Sequence, residues 1–181
     1  YKGVGGVAGE VGHNTGTVSC KDNAYVKYCA NFGNISGDNA ESYVGGIVGF
    51  MQEGSVSKGN CCLYDCYNRG EILSDHTEDT GGILGQADHY NTVYRNINFG
   101  KVHYGNAIIG YRKNGNCILY VDDNYFLEGS GKDWKATDSF LESEIGKSST
   151  YKGFDFSSVW EIVDGYPYIR NNPFQRTSYN K

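Results

Sequence analysis

The stretch Gly45-Gly46-Ile47-Val48-Gly49 (GGIVG) sets three glycines around two β-branched residues, and the chain nearly repeats it elsewhere. GGVAG stands at 5–9, GGILG at 81–85 and a worn copy, NAIIG, at 106–110. One such motif carries little information, whereas four copies point to an architecture built by repetition. A second cassette accompanies it, as VKYCANFGNI at 26–35, LYDCYNRGEI at 63–72 and VYRNINFGKV at 93–102. Aligned on Gly33, Gly70 and Gly100, apolar residues stand seven before the glycine (Val26, Leu63, Val93) and two after it (Ile35, Ile72, Val102). Asn31, Asn68 and Asn98 lie two before it, with Cys29, Cys66 and Asn96 four before. VDDNYFLEG at 121–129 is a divergent fourth copy that keeps Val121 and Asn124.

The spacing between glycine motifs shrinks along the chain: Gly9 to Gly49 is 40 residues, Gly49 to Gly85 is 36 and Gly85 to Gly110 is 25. Constant cassettes joined by variable spacers are what stacked strands with corner loops of unequal length produce. Helical repeats do not fit, because Gly and β-branched residues hold the repeated positions and no 3.6-residue period appears. The expectation is an all-β fold, a right-handed parallel β-helix or β-solenoid of about four coils spanning 1–129, with three short strands per coil. In such a stack like residues sit ~4.8 Å above one another. Val7, Ile47, Ile83 and Ile108 then form one interior ladder, and Val26, Leu63, Val93 and Val121 a second. Ile35, Ile72 and Val102 form a third. The glycines take tight corners, where a positive φ or a close backbone approach excludes a Cβ. The Asn column suits the same corners, since Asn tolerates the left-handed conformation and stacked amides bond along the axis.

The last fifty or so residues read differently. Ser139-x-x-Glu142 has the form of a capping box, and Gly146 that of a stop, which marks a short helix across 140–145. With the aromatic VWEIVDGYPYI at 159–169, it makes 130–170 a C-terminal cap over the bare end of the stack, with 171–181 a tail or linker.

Composition narrows the function classes. Glycine is 26 of 181 residues, about twice the usual ~7%. The formal charge of −5 and the absence of a basic run argue against a nucleic-acid partner, which needs Lys and Arg massed on one face. No apolar run approaches the ~20 residues of a membrane helix. The chain opens inside a repeat with no initiating Met or signal-peptide pattern, as expected of a piece continuous with a longer chain.

GGIVG and GGILG, followed by C-Y-N-x-G-x-I, resemble the GLUG repeat of bacterial secreted and surface-anchored proteins. That repeat occurs in adhesins and in the non-catalytic regions of IgA-specific metallopeptidases. The closing W-x-I-x-x-G-Y-P-Y-I is similar to the segment that often ends such arrays. The resemblance covers roughly 3–170, and NAIIG departs from it by losing two glycines. It implies an extracellular or cell-surface β-solenoid without catalytic residues or cofactor. The zinc motif H-E-x-x-H of the metallopeptidases is absent from the sequence.

Individual residues suggest candidate sites. Tyr64 and Tyr94 share a ladder position with Lys27 and Asp122, and Tyr90, Tyr104, Tyr111 and Tyr120 lie nearby in sequence. An outward aromatic strip flanked by polar groups suits a host glycan or a protein contact. Asp65, Arg95 and Asp123 occupy one ladder position and read as a surface ion-pair row. Asp122 and Asp123 with Asp65 are also the carboxylate set of the competing reading, a polysaccharide-cleaving β-helix enzyme. A purely structural stalk is the third reading. His13, Glu53 and His89 each stand four residues past a motif glycine and would line up as a divalent-metal or pH-sensitive site. The acidic loop Asp75–Asp79 reads as a solvated corner with a calcium alternative. Of the six cysteines, at 20, 29, 61, 62, 66 and 117, Cys29 and Cys66 hold equivalent positions. In-register side chains on parallel neighbours point the same way, so reduced thiols stacked as small hydrophobes are the expectation.

Overall fold

The computed structural model describes residues 2–12, 23–37, 42–52, 60–75, 79–88, 90–112, 119–132 and 137–171. The chain makes successive passes whose strands pair in parallel with those of the next pass. The first pass holds β1 (Lys2–Gly5), β2 (Ala8–Val11), β3 (Ala24–Lys27), β4 (Ala30–Asn31) and β5 (Ile35–Gly37). The second repeats them as β6 (Ser42–Gly45), β7 (Val48–Met51), β8 (Cys61–Tyr64), β9 (Tyr67–Asn68) and β10 (Ile72–Ser74). The third has β11 (Thr80–Gly81), β12 (Leu84–Ala87), β13 (Asn91–Tyr94) and β14 (Ile97–Asn98). The fourth has β15 (Ile109–Arg112), β16 (Leu119–Asp122) and β17 (Asn124–Leu127), and β18 (Thr137–Phe140) pairs beyond it.

Equivalent strands gather into five sheets, here A to E. A is β1-β6-β11, B is β2-β7-β12-β15, and C is β3-β8-β13-β16. D is β4-β9-β14-β17-β18 and E is β5-β10. The fold is therefore all-β with parallel strands in stacked sheets, as expected, but a full pass carries five short strands rather than three. The difference lies in the glycine motif and in the second cassette, each of which bends and so contributes to two or more sheets. No helix among the described residues is long and apolar enough to cross a membrane.

The expected ladders are present. Val26 pairs with Leu63, Leu63 with Val93 and Val93 with Val121. Ile72 pairs with both Ile35 and Val102. Ile47, Ile83 and Ile108 are fully buried and linked by backbone hydrogen bonds, Ile47 N–H to Ile83 O and Ile83 N–H to Ile108 O, both 2.9 Å. Each such side chain contributes on the order of 2 kcal/mol. Val7, at the outer end of the same column, remains 47% exposed.

The glycines answer to proximity, not to turn geometry. The motif glycines have no positive φ; among the described glycines that conformation falls on Gly12, Gly129, Gly153 and Gly165. Sheets A and B instead meet backbone to backbone. A Cβ on Gly45 would lie 1.9 Å from Val48 O, and one on Gly85 2.6 Å from Val44 N. The left-handed corner between sheets C and D is made by non-glycine residues, Tyr28, Asp65, Arg95 and Asp123, with φ of 58°, 51°, 52° and 50°.

The Asn column is correspondingly not left-handed. Asn31, Asn68 and Asn98 lie in β4, β9 and β14 and form an amide ladder. Asn31 Nδ2 donates to Asn68 Oδ1 at 2.7 Å, and Asn68 Nδ2 donates to Asn98 Oδ1 at 2.9 Å. The ladder packs on the second glycine of each motif, since a Cβ on Gly82 would stand 2.4 Å from Asn98 Cγ. That contact explains the worn copy NAIIG. The residue paired with Asn98 in the next pass is Phe126, so the ladder ends there and Ala107 replaces the glycine. Pairing persists through this copy, from Gly81 to Asn106 and Leu84 to Ile109.

The C-terminal segment differs from expectation in form and in place. Ser139 lies in β18, so it caps no helix, and 140–145 contains only a 3-10 turn, Glu142–Glu144. The reach-back comes from Glu144, whose Oε2 accepts the Leu141 N–H at 2.9 Å. A second 3-10 turn (Ser148–Thr150) leads to an antiparallel hairpin of β19 (Trp160–Val163) and β20 (Tyr166–Ile169). Rather than lying only over the end of the stack, the segment folds back along its side. Phe140, Ile145, Tyr151, Trp160 and Tyr168 pack on Tyr67, Ile97 and Tyr125, which alternation points outward from sheet D. An apolar outer face requires this cover. The outer face of sheet C, which is polar and tyrosine-rich, does not.

Candidate functional site

Alternation along β3, β8, β13 and β16 sends Val26, Leu63, Val93 and Val121 to the core, and the residues between them outward. Two outward rows result, Tyr25–Cys62–Thr92–Tyr120 and Lys27–Tyr64–Tyr94–Asp122, each held in parallel register. Tyr64, Tyr94 and Asp122 thus stand in one row, as the sequence indicates. Tyr25 and Tyr28 belong to the same surface and escaped the sequence reading. The two-residue period from Val26 places Tyr25 outward, and alignment with Asp65 and Arg95 places Tyr28 on the corner.

The rings do not form an open platform throughout. Tyr64 and Tyr94 stack on each other, 4.9 Å between centroids and 13° between planes. Tyr25 and Tyr28 meet Tyr64 edge-on at 6.3 and 6.1 Å. The faces of the central pair are therefore largely spent on neighbours, and it offers edges and hydroxyls. The most open rings lie around it: Tyr25 is 56% exposed, Tyr28 42% and Tyr120 63%. Lys27 Nζ lies 5.3 Å from the Tyr28 centroid and 5.9 Å from that of Tyr64. A hydrogen bond with Tyr64 raises the Lys27 ammonium above its ordinary range, so it stays cationic at neutral pH.

The corner column is not a surface ion-pair row. Asp65 is 1% exposed and accepts Arg95 in a two-pronged pair, Nε to Oδ1 at 2.9 Å and Nη2 to Oδ2 at 2.7 Å. Trp160 Nε1 donates to the same Oδ1 at 3.0 Å, which ties the returning segment to the stack and keeps water from the carboxylate. Arg95 also lies over Tyr94, 4.5 Å from the centroid. The pair with Asp65 raises the guanidinium pKa further. Asp123 is half-buried, and burial, then its neighbour Asp122, pushes its carboxyl upward. A cavity of about 280 Å³ opens beside the corner, lined by Tyr28, Ser158, Val159 and Arg170.

His13, Glu53 and His89 lie outside the described residues, as do Cys20, Cys117 and 76–78 of the acidic loop. Among the described residues no group of three His, Cys, Asp or Glu side chains converges as a metal site. Comparison with protein-family models, with curated proteins and with solved structures finds no match to the chain.

Proposed function

We propose that this chain is a non-catalytic repeat module of a larger secreted or cell-surface bacterial protein, a scaffold that presents the outer face of sheet C to a host glycan or protein. The observation that carries the reading is the group of exposed rings, with Tyr25 and Tyr120 beside Lys27 on one continuously paired sheet and Tyr28 on the corner that follows it. Such a surface has its shape fixed before contact, so little ordering entropy is lost on binding. The windings are taken to close into a right-handed solenoid, the hand that parallel crossovers adopt. The motif resemblance to GLUG repeats supports the extracellular assignment.

The enzymatic alternative is weakened at one residue. Asp65 is occupied by Arg95 and Trp160, so it is not available as an acid or base beside Asp122 and Asp123. The test is a glycan array, with a panel of host surface proteins, comparing the wild type with a Tyr25→Thr/Tyr120→Thr double variant. Threonine already occupies that row as Thr92, so the fold should tolerate both changes. Binding should fall at least tenfold with unchanged melting temperature. Equal binding by the variant, or no ligand for the wild type, removes the contact surface and leaves a plain stalk.

A further inference from the structure

The rung that follows the left-handed corner holds Cys29, Cys66, Asn96 and Asn124 in successive passes. Lys27↔Tyr64 before it and Ala30↔Tyr67 after it set Cys29 opposite Cys66, and Tyr67 N–H donates to Cys29 O at 3.0 Å. In the later passes this rung is a side-chain ladder. Asn96 Nδ2 donates to Asn124 Oδ1 at 2.9 Å, and Asn96 Oδ1 accepts the Cys66 N–H at 3.1 Å. In the first two passes thiols replace the amides, and they do so as neighbours. Cys66 is fully buried, with its thiol toward Tyr64 O at 3.2 Å, whereas Cys29 is half-buried, with its thiol toward Lys27 O at 3.2 Å. The neighbouring Cys66 thiol lowers the Cys29 pKa to about 7, while burial pushes that of Cys66 up.

We propose that Cys29 and Cys66 are an oxidisable dithiol that closes to a disulfide joining the first pass to the second. Neighbouring parallel strands stand ~4.8 Å apart, inside the roughly 4.4–6.8 Å between Cα atoms that a disulfide spans. The objection that in-register strand residues point in parallel is weaker here, because both cysteines lie between strands, just past a left-handed residue. Their roles differ by access. Cys29 attacks as thiolate, and Cys66, shielded from reagents, resolves.

With a small-molecule disulfide such as oxidised glutathione as oxidant, the Cys29 thiolate attacks one reagent sulfur and releases one glutathione thiolate. The Cys66 sulfur then attacks Cys29 Sγ, displaces the second glutathione and gives up its proton to solvent or to that thiolate. Two protein thiols become one disulfide and the reagent is reduced to two thiols. The bridge closes a loop from Cys29 in the first pass to Cys66 in the second. Cross-linking there restricts the unfolded chain and ties the two passes together.

The experiment treats the full chain with oxidised glutathione, alkylates residual thiols under denaturing conditions and maps the peptides without reduction. The expected result is a Cys29–Cys66 cross-linked peptide and a melting temperature raised by several degrees, reversed by reductant and absent in Cys29→Ser. A Cys66→Ala variant should stop at a glutathione adduct on Cys29. Recovery of both thiols in alkylated form, a wild-type adduct that never closes, or a cross-link confined to other cysteines overturns the proposal.

Discussion

Asn68→Ala removes four hydrogen bonds from a side chain with no exposure to water. Asn68 Nδ2 donates to Gly70 O at 2.8 Å and to Asn98 Oδ1 at 2.9 Å. Its Oδ1 accepts Asn31 Nδ2 at 2.7 Å and the Gly70 N–H at 3.2 Å. Asn31 Nδ2 keeps a second acceptor, Gly33 O at 2.7 Å, so the loss falls on both Gly70 groups and on Asn98. A buried polar group stranded this way costs about 1–3 kcal/mol. With partial relaxation the three together should cost about 3–5 kcal/mol, a large part of the ~5–15 kcal/mol that stabilises a typical domain. At roughly 2–4 °C per kcal/mol for a chain of this size, the melting temperature should fall by about 6–20 °C. Asn31→Ala, at the outer end of the ladder and 8% exposed, should cost only about 1 kcal/mol. Asn68→Asp keeps the shape but loses both donors and sets carboxylate oxygens against Gly70 O and Asn98 Oδ1, so it should be the harshest of the three. Urea unfolding followed by far-ultraviolet circular dichroism measures all of them. A loss below about 1 kcal/mol for Asn68→Ala, or an equal loss for Asn31→Ala, would refute the ladder as a source of stability.

Two further predictions concern the glycines and the thiols. Gly70→Ala would place its methyl 1.9 Å from Gly33 O, whereas Gly33→Ala meets nothing nearer than Asn31 Oδ1 at 3.8 Å. The first should abolish soluble expression; the second should leave stability unchanged or raise it by about 0.4–1 kcal/mol, read by thermal melts. Native-state alkylation by iodoacetamide, mapped by mass spectrometry across pH, should show Cys29 half-maximal near pH 7 and Cys61 only near 11, since burial raises the latter. The linked stability changes have opposite signs. Between about 7 and the ordinary thiol value of 9.0 the unfolded chain holds more protons at Cys29, so that contribution grows with pH. Between 9.0 and about 11 the folded chain holds more at Cys61, so that contribution is lost. Equal alkylation profiles for the two cysteines would contradict this assignment.

The ladders were legible because stacking repeats a residue type at fixed offsets, so Val26, Leu63 and Val93 announce one another in one dimension. The reason for the glycines was not. Gly45 and Gly85 are required by the backbone of the adjoining sheet, Val48 O for the first and Val44 N for the second, and a glycine looks the same whether it serves a turn or a contact. The corner was hidden for the opposite reason, since Tyr28, Asp65, Arg95 and Asp123 carry no sign of a left-handed backbone. The capping box misled because Ser139 and Glu142 satisfy a local pattern while pairing with Asn124–Leu127 draws Thr137–Phe140 into a strand. The outer surface was half legible. Tyr64 and Tyr94 follow from alignment, but the burial of Asp65 depends on Trp160, 95 residues away.

The non-glycine corner also bears on variation. Its bend is enforced by the strands on either side rather than by the residue that occupies it, and one chain fills it with a phenol, two carboxylates and a guanidinium without changing the path of the backbone. Shape and chemistry are thereby decoupled along one edge of the molecule. That edge behaves like a comb with two locked teeth, Asp65 and Arg95, fastened to each other and through Asp65 to Trp160, and a replaceable one at Tyr28, where a new side chain would leave the pitch unchanged.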